Sequence, residues 1–344
     1  MRQPEISIVV PVYCAALHLR ETLDALAAQR FHDFEVILVD DGSTDSSPQI
    51  IDSYCGEDSR FRALHIPNGG EYHARQAGIR EAVGRYIAFC DSDDLYLPDM
   101  LEKMYDQAEK TGADVTVCGF QREDMDSGKI YSREMCGFEA RSVGFPELWD
   151  ILPLINPSLW NKLFRSEILH HAVRLAAPPR VAEDVMVSAS VYPFVNRMAF
   201  VPEVLYRYRV HPGSIISGIT PAETARVRES MLITRDFILN GKDSKETREY
   251  IDSIAFIHLG LSLVIRLTQG GEPMLRTVRD ARAFLDASFP GYRKAGKGLL
   301  WNLNHHMLQF RILLGRWFFR AHMMVPFLLV YHFVTLKLKR EIKW

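Results

Sequence analysis

The sequence predicts an α/β fold: a mainly parallel central sheet followed by a C-terminal helical extension. Three observations carry this. From Ile6 to Cys118, short apolar runs alternate with amphipathic segments across short connections, the pattern of parallel strands with right-handed crossovers. Polar and acidic residues gather just past the apolar runs, at the strand ends where open α/β sheets bind ligands. From Thr220 to Ser288 only helical spacing remains.

In chain order, Ile6–Val10 reads as a strand, and Leu17, Leu19, Leu23, Leu26 and Ala27 mark the helix after it. Strand Val36–Val39 runs into Asp40-Asp41-Gly42-Ser43-Thr44-Asp45. Helix Pro48–Tyr54, strand Arg62–Ile66 and the loop Asn68-Gly69-Gly70 follow. Tyr72–Val83 is helical, with Gly84 expected at its C-terminus. Strand Tyr86–Cys90 is a buried apolar run ending in Asp91, Ser92, Asp93 and Asp94. Pro98 then opens a helix whose Met100, Leu101, Met104, Tyr105 and Ala108 share a face and whose stop is Gly112. Val115–Cys118 is the next strand, and the polar stretch 126–144 reads as a loop or hairpin.

The first strand-to-helix turn, Pro11-Val12-Tyr13-Cys14-Ala15-Ala16, contains no glycine. That excludes the glycine-rich turn of dinucleotide-binding folds, and the glycines and Lys-Ser/Thr of a P-loop are also absent. Phosphates would have to be neutralised elsewhere. The Asp91–Asp94 cluster offers one route: closely packed carboxylates suit a shared Mg²⁺ or Mn²⁺ bridging to phosphate. They equally suit a turn and helix cap. Asp40 and Asp41 read either as a strand-end turn or as acceptors for a pyrimidine N–H. Glu183 and Asp184 precede the apolar run Val185–Val191. They are either first-turn acids favoured by the helix dipole or a general base kept ionised there. His211, beside Arg207 and Arg209, is either structural or part of a phosphate neighbourhood.

Composition narrows the classes. The 344 residues are 47% apolar and 24% charged, ordinary for a globular protein of more than one domain. A net charge of −2 gives no sign of nucleic-acid binding. The five cysteines lack C-x-x-C spacing, which favours reduced, packed thiols in a cytosolic setting over disulfides or zinc. Met1 to Glu5 followed by a strand carries no expected signal peptide. Charge is uneven, however: residues 293–344 hold ten Lys and Arg against Glu341 alone. Between Leu299 and Met324 polar residues form one stripe on a broad apolar helix. Met323–Leu336 is apolar for 14 residues, short of the ~20 that a bilayer span needs. The tail is expected to lie on a membrane surface, or else to pack on protein.

Six segments resemble the family 2 glycosyltransferases of the GT-A fold, of the bacterial surface-polysaccharide kind. They are I-S-I-V-V-P-V-Y, F-E-V-I-L-V-D-D-G-S-T-D-S-S, G-E-Y-H-A-R-Q-A-G-I, G-R-Y-I-A-F-C-D-S-D-D, W-N-K-L-F-R and A-E-D-V-M, in that order over about residues 6–215. The resemblance implies a GT-A domain over 1–219, beyond which the residues read as a helical region over 220–292 and a basic amphipathic tail over 293–344. It implies an inverting, metal-dependent transfer from a nucleotide-sugar, UDP-linked, to a glycan or lipid-linked glycan. The setting would be the inner face of the cell membrane, with a homo-oligomer possible. By position, Pro11 and Tyr13 would cradle the base, Asp40 would bind its N–H, and Arg75, Asp91 and Ser92 would lie along the nucleotide-sugar. Asp93 and His211 would hold Mn²⁺ or Mg²⁺. Asp184 would be the catalytic base, with Trp160, Asn161 and Glu183 lining the sugar or acceptor. The chain departs from the family pattern at Glu71-Tyr72-His73 and at Gln76, both beside the donor pocket. Two rivals stand: a Mg²⁺ phosphohydrolase built on Asp91-x-Asp93, disfavoured by the late motif and by Leu95, and an inactive sugar-binding scaffold.

Overall fold

The computed structural model describes residues 3–211, 219–293 and 314–338. The chain divides into two units, one of Met1–Phe145, Asn156–Ala172 and Glu183–Ser214, the other of Pro146–Ile155, Val173–Ala182 and Ile215–Trp344. A boundary near 219 is therefore only part of the division. The first excursion brings the apolar residues Trp149, Leu152 and Leu154 to the helices of the second unit, and the second is tied to it where the Arg180 and Val181 N–H groups donate to Glu223. Leu152 and Leu154 are buried, and the Trp149 ring lies 6.0 Å from that of Tyr250.

The first unit opens with β1 (Ile6–Val12), α1 (Leu19–Ala27), β2 (Phe34–Asp40), α2 (Ser47–Glu57), β3 (Phe61–His65), α3 (Glu71–Glu81) and β4 (Tyr86–Phe89). It continues with β5 (Leu95–Tyr96), α4 (Met100–Thr111), β6 (Val115–Asp124), β7 (Ile130–Glu134), β8 (Ser142–Gly144), β9 (Lys162–Arg165), α6 (Glu183–Val191) and β10 (Arg197–Val210). The sheet order is β3-β2-β1-β4-β9-β6-β10-β5, with β7 on β6 and β8 on β10. β3, β2, β1 and β4 are parallel, as the alternating pattern requires. Every residue of β1 and β4 is buried, which is why these strands read as unbroken apolar runs.

Beyond β4 the sheet is mixed. β9 inserts antiparallel between β4 and β6, and β6 then pairs parallel with the 14-residue β10. The stretch 126–144 supplies the hairpin strand β7 and the short β8. The expected helix over Pro98–Lys110 runs Met100–Thr111 and ends at Gly112 with φ 64°.

Gly84 does not cap α3, which ends at Glu81. Its backbone instead lies against β1: an added Cβ would meet the Ser7 nitrogen at 2.5 Å, and its N–H donates to Ser7 Oγ at 2.8 Å. The same close approach recurs at Gly78, where α3 crosses β1 and a Cβ would stand 2.3 Å from Val9 Cγ1. Backbone packing at these two glycines sets how near α3 comes to the sheet, and hence where Glu71 and Arg75 sit.

The second unit is helical in its described residues. It contains α5 (Leu148–Ile151), α7 (Pro221–Gly241), α8 (Lys245–Ala255), α9 (Leu263–Gln269), α10 (Met274–Ser288) and a last helix, Met324–Leu338. α8 runs through a π-helical turn, Phe256–Ser262, into α9. Among the described residues, Lys245–Gln269 is the stretch long and apolar enough to cross a membrane, but 72% of that window is buried within the protein. It serves as a core helix. The last helix exposes Leu329, Val330 and Phe333. Most of the stretch Leu299–Met324 expected to lie on a membrane falls outside the described residues.

Replacing Gly78 by alanine should destabilise the protein by about 1–3 kcal/mol, the cost of overpacking a filled core. Alanine's better helix propensity, worth ~1 kcal/mol, offsets only part of that. Urea unfolding of Gly78→Ala checks it: a midpoint at or above the parent's would mean that α3 moves freely off β1.

Candidate active site

Three loops beyond the C-terminal ends of β1, β2 and β4 form one end of the first unit. The glycine-free turn after β1 makes no phosphate cradle. Its Cys14, Ala15 and Ala16 N–H groups donate to Ser43 Oγ, Ser47 Oγ and Asp45 Oδ2 at 3.0, 2.9 and 3.0 Å. The Asp-Gly-Ser-Thr-Asp-Ser-Ser run after β2 exists in part to satisfy that turn. Pro11 is buried within β1, while Tyr13 just past it is 56% exposed and can offer its ring.

Asp40 ends β2. Its Oδ1 accepts the Ser43 N–H at 2.9 Å and its Oδ2 lies 2.8 Å from His65 Nδ1. Burial raises its pKa, but those two partners outweigh it and hold the carboxyl below its ordinary value. Asp41 accepts the N–H groups of Gly69 and Gly70 at 2.7 and 2.8 Å, fixing the loop that leads into α3.

The centre of the site is Arg75. It is 5% exposed on α3 and binds three carboxylates. Its Nη1 donates to Glu183 Oε1 at 2.7 Å, and its Nη2 donates to Asp91 Oδ1 at 2.9 Å and to Glu71. One guanidinium thus joins the start of α3, the end of β4 and the start of α6. Its charge balances one of the three acids. Burial, then Glu71 and Asp184, push the Glu183 carboxyl up to about 8. Burial with Glu71 and Asp93 likewise raises Asp91, to about 7. Asp184 follows Glu183 in the first turn of α6, and its Oδ1 accepts the Val185 N–H at 2.8 Å.

The acids after β4 divide by role. Asp94 is buried and structural: Tyr206 Oη and the Arg209 N–H each donate to it at 2.7 Å. Ser92 turns the chain, its carbonyl accepting Thr22 Oγ1 at 3.0 Å. Asp93 keeps a third of its side chain exposed and lies 3.0 Å from His211 Nε2. Among the described residues no three side chains converge on a metal position. The partly exposed Asp93 carboxylate and the His211 imidazole nevertheless fit a hard divalent ion whose other positions would go to water and phosphate.

Trp160 and Asn161, expected to line the acceptor site, are core residues. The Trp160 ring stacks on Tyr206 at 4.3 Å and meets Phe120 edge-on at 4.6 Å. Asn161 is fully buried, donating to the Cys118 carbonyl at 2.9 Å and accepting from Ser158 Oγ at 3.1 Å. Next to it Lys162 is equally buried, its Nζ held by the carbonyls of Asn156 and Ser158 and by Asn161 Oδ1. Burial pushes its ammonium down to about 7, against the pull of Asp184. Lys162 is the member of this region that residue-type reasoning passed over, and Glu71, marked in the sequence only as a departure beside the donor pocket, proves to be a partner of Arg75. Glu71 shows in the sequence as an acid four residues before an arginine, and Lys162 as a lysine inside an aromatic strand.

The sequence pattern described as Glycosyl transferase family 2 matches residues 7–170. Glycosyltransferase GlyG of Streptococcus pneumoniae is 30% identical over a 279-residue alignment that covers 71% of this chain and 89% of that protein. The chain belongs to glycosyl transferase family 2. A second relative, the uncharacterized glycosyltransferase EpsJ of Bacillus subtilis, is 33% identical over 219 residues. The match spans 62% of this glycosyltransferase and 63% of EpsJ, just under two thirds of that relative. Among solved structures, S. aureus TarS 1-349 in complex with UDP-GlcNAc superposes with a TM-score of 0.68. It is 21% identical and covers 98% of this chain and 93% of its own, so the GT-A fold is shared.

The raised Glu183 carboxyl makes a signed prediction. It is protonated in the folded chain up to about pH 8 but ionises near 4.3 when unfolded. The unfolded state therefore binds fewer protons between those values, and stability falls as pH rises through that window. Glu183→Gln should flatten the fall, by up to about 1.4 kcal/mol per pH unit for the one proton removed. Urea titrations of both proteins from pH 5 to 8 test it; identical slopes would place Glu183 outside the proton-holding network.

Proposed function

We propose that this glycosyltransferase moves a sugar from a UDP-sugar to a hydroxyl of a lipid-linked glycan, inverting the anomeric centre. It would work at the inner face of the cell membrane in surface-polysaccharide synthesis. The observation that carries the reading is the Arg75 bridge, which ties Asp91 of the Asp91-x-Asp93 turn to Glu183, the neighbour of Asp184. A donor site and a base are thereby held on one cation.

The exposed Tyr13 ring and the ionised Asp40 at the neighbouring strand ends support a uridine base between them. TarS, which has this fold, was solved with UDP-GlcNAc. Asp93 and His211 would hold Mn²⁺ or Mg²⁺, which when bound supplies positive charge to the departing diphosphate. Asp91 and Ser92 lie along the donor on this reading. Asp184 accepts the proton of the acceptor hydroxyl, and that oxygen forms the new bond to the anomeric carbon. The bond from carbon to the diphosphate oxygen breaks with its electron pair going to the nucleotide. One displacement inverts the centre. The basic character of 293–344 supports docking on an anionic membrane, at about 1 kcal/mol for each Lys or Arg that reaches such a surface, a number smaller than ten because Arg316 is buried and Arg293 pairs with Asp286.

Asp184→Asn should keep UDP affinity and lower the transfer rate by ~10²–10⁴, the usual worth of a general base. Asp93→Asn should instead weaken UDP binding and abolish its dependence on divalent cation. Calorimetry with and without EDTA, beside donor turnover, separates the two. Near-parent turnover in Asp184→Asn would move the base elsewhere, and UDP affinity indifferent to EDTA in the parent would remove the metal.

A further inference from the structure

Arg75 is the cation at the centre of the site, and both terminal nitrogens are engaged with Glu183, Glu71 and Asp91. Its Nε is buried and has no hydrogen-bond partner among the described residues. Two other cations of this unit are also committed. Lys162 is fully buried among three oxygen acceptors, and Arg209 is buried and donates to the Asp93 carbonyl and to Glu21, with only its Nη2 left without a partner among the described residues. The stretch 212–218 that follows His211 contains no Lys, Arg or His. Acids, by contrast, reach solvent here. Glu71 has 35% of its side chain exposed against 21% for Asp91 and 11% for Glu183. It begins α3, and the loop before it is pinned by Asp41.

We propose that Glu71 faces the donor's sugar and restricts the enzyme to sugars without an acidic substituent, neutral hexoses and N-acylhexosamines. The inference rests on the nucleotide-sugar reading above. A ring hydroxyl or an N-acyl N–H can donate to the exposed part of this carboxylate. A uronate would instead set a further carboxylate beside Glu71 and Asp91, where the nearby guanidinium is already shared among three acids. Like charges so placed disfavour the wrong ligand, the repulsive half of specificity.

The test is competition calorimetry on the full-length protein with Mn²⁺, using UDP, UDP-glucose, UDP-glucuronate, UDP-galactose and UDP-galacturonate. Within each pair only C6 differs. In the parent the uronate should bind at least tenfold more weakly than its hexose. Raising salt from 0.05 to 0.5 M should narrow that gap, because charge causes it. In Glu71→Gln each uronate should gain at least threefold relative to its hexose, with the affinity of UDP alone measured beside them as the reference for any change common to all ligands. Equal affinity within both pairs in the parent, a gap indifferent to salt, or a gap unchanged in Glu71→Gln overturns the proposal. UDP that binds without discrimination between hexose and uronate removes the Glu71 assignment alone. Failure of UDP itself to bind removes the uridine reading and this inference with it.

Discussion

One buried guanidinium organises the active end of this protein. Arg75 is placed by α3, and α3 is placed by two backbone approaches to β1 that tolerate no Cβ, at Gly78 and at the Gly84 turn that follows. From there Arg75 reaches the end of β4 and the start of α6, segments over ninety residues apart in sequence. The hydrophobic sheet sets the frame, but it is the shared cation that brings the Asp91 turn and the Glu183-Asp184 pair together. A buried charge left without partners is costly, so the arrangement is rigid in proportion to its burial.

The same constraint explains the electrostatic character of the site. Three acids on one cation leave excess negative charge, and part of it is relieved by holding protons on Glu183 and Asp91. A diphosphate brought to this place needs positive charge that the bonded side chains do not supply. On the proposed reading the Asp93–His211 pair would hold the cation that supplies it, since Asp93 stays partly exposed while its neighbour Asp94 is taken up by Tyr206 and Arg209. Two adjacent aspartates thus do opposite jobs, one cementing β10 to the β4 turn and one facing solvent.

The parallel half of the sheet was legible because β1, β2 and β4 are buried runs bounded by polar turns. The turn after β1 lacks the glycines of a phosphate-binding loop, and in the structure serine and aspartate side chains take its N–H groups. Of the mixed half only the start of β6 at Val115–Cys118 and the hairpin within 126–144 were legible. β9 has four residues and begins and ends with a cation, and β10 mixes arginines and a glutamate into a long strand with register shifts. Trp160 and Asn161 look like ligand-binding types, yet an aromatic stack and a carbonyl partner bury them. Residue type names what a side chain can do, whereas only the tertiary fold decides which way it faces. The Arg75 bridge itself joins positions that no local pattern relates.

The account stands on the coupling between Arg75 and Glu183, and a double-mutant cycle measures it directly. Unfolding free energies would be taken at pH 9, above the value of about 8 to which Glu183 is raised, for the parent, Arg75→Met, Glu183→Gln and the double variant. Arg75→Met alone should cost about 3–5 kcal/mol, since it leaves buried acids uncompensated. Adding Glu183→Gln should return part of that loss, giving an interaction of at least about 1 kcal/mol. Losses that add within ~0.5 kcal/mol would mean the two side chains act independently, and the donor end and the base would not share a cation.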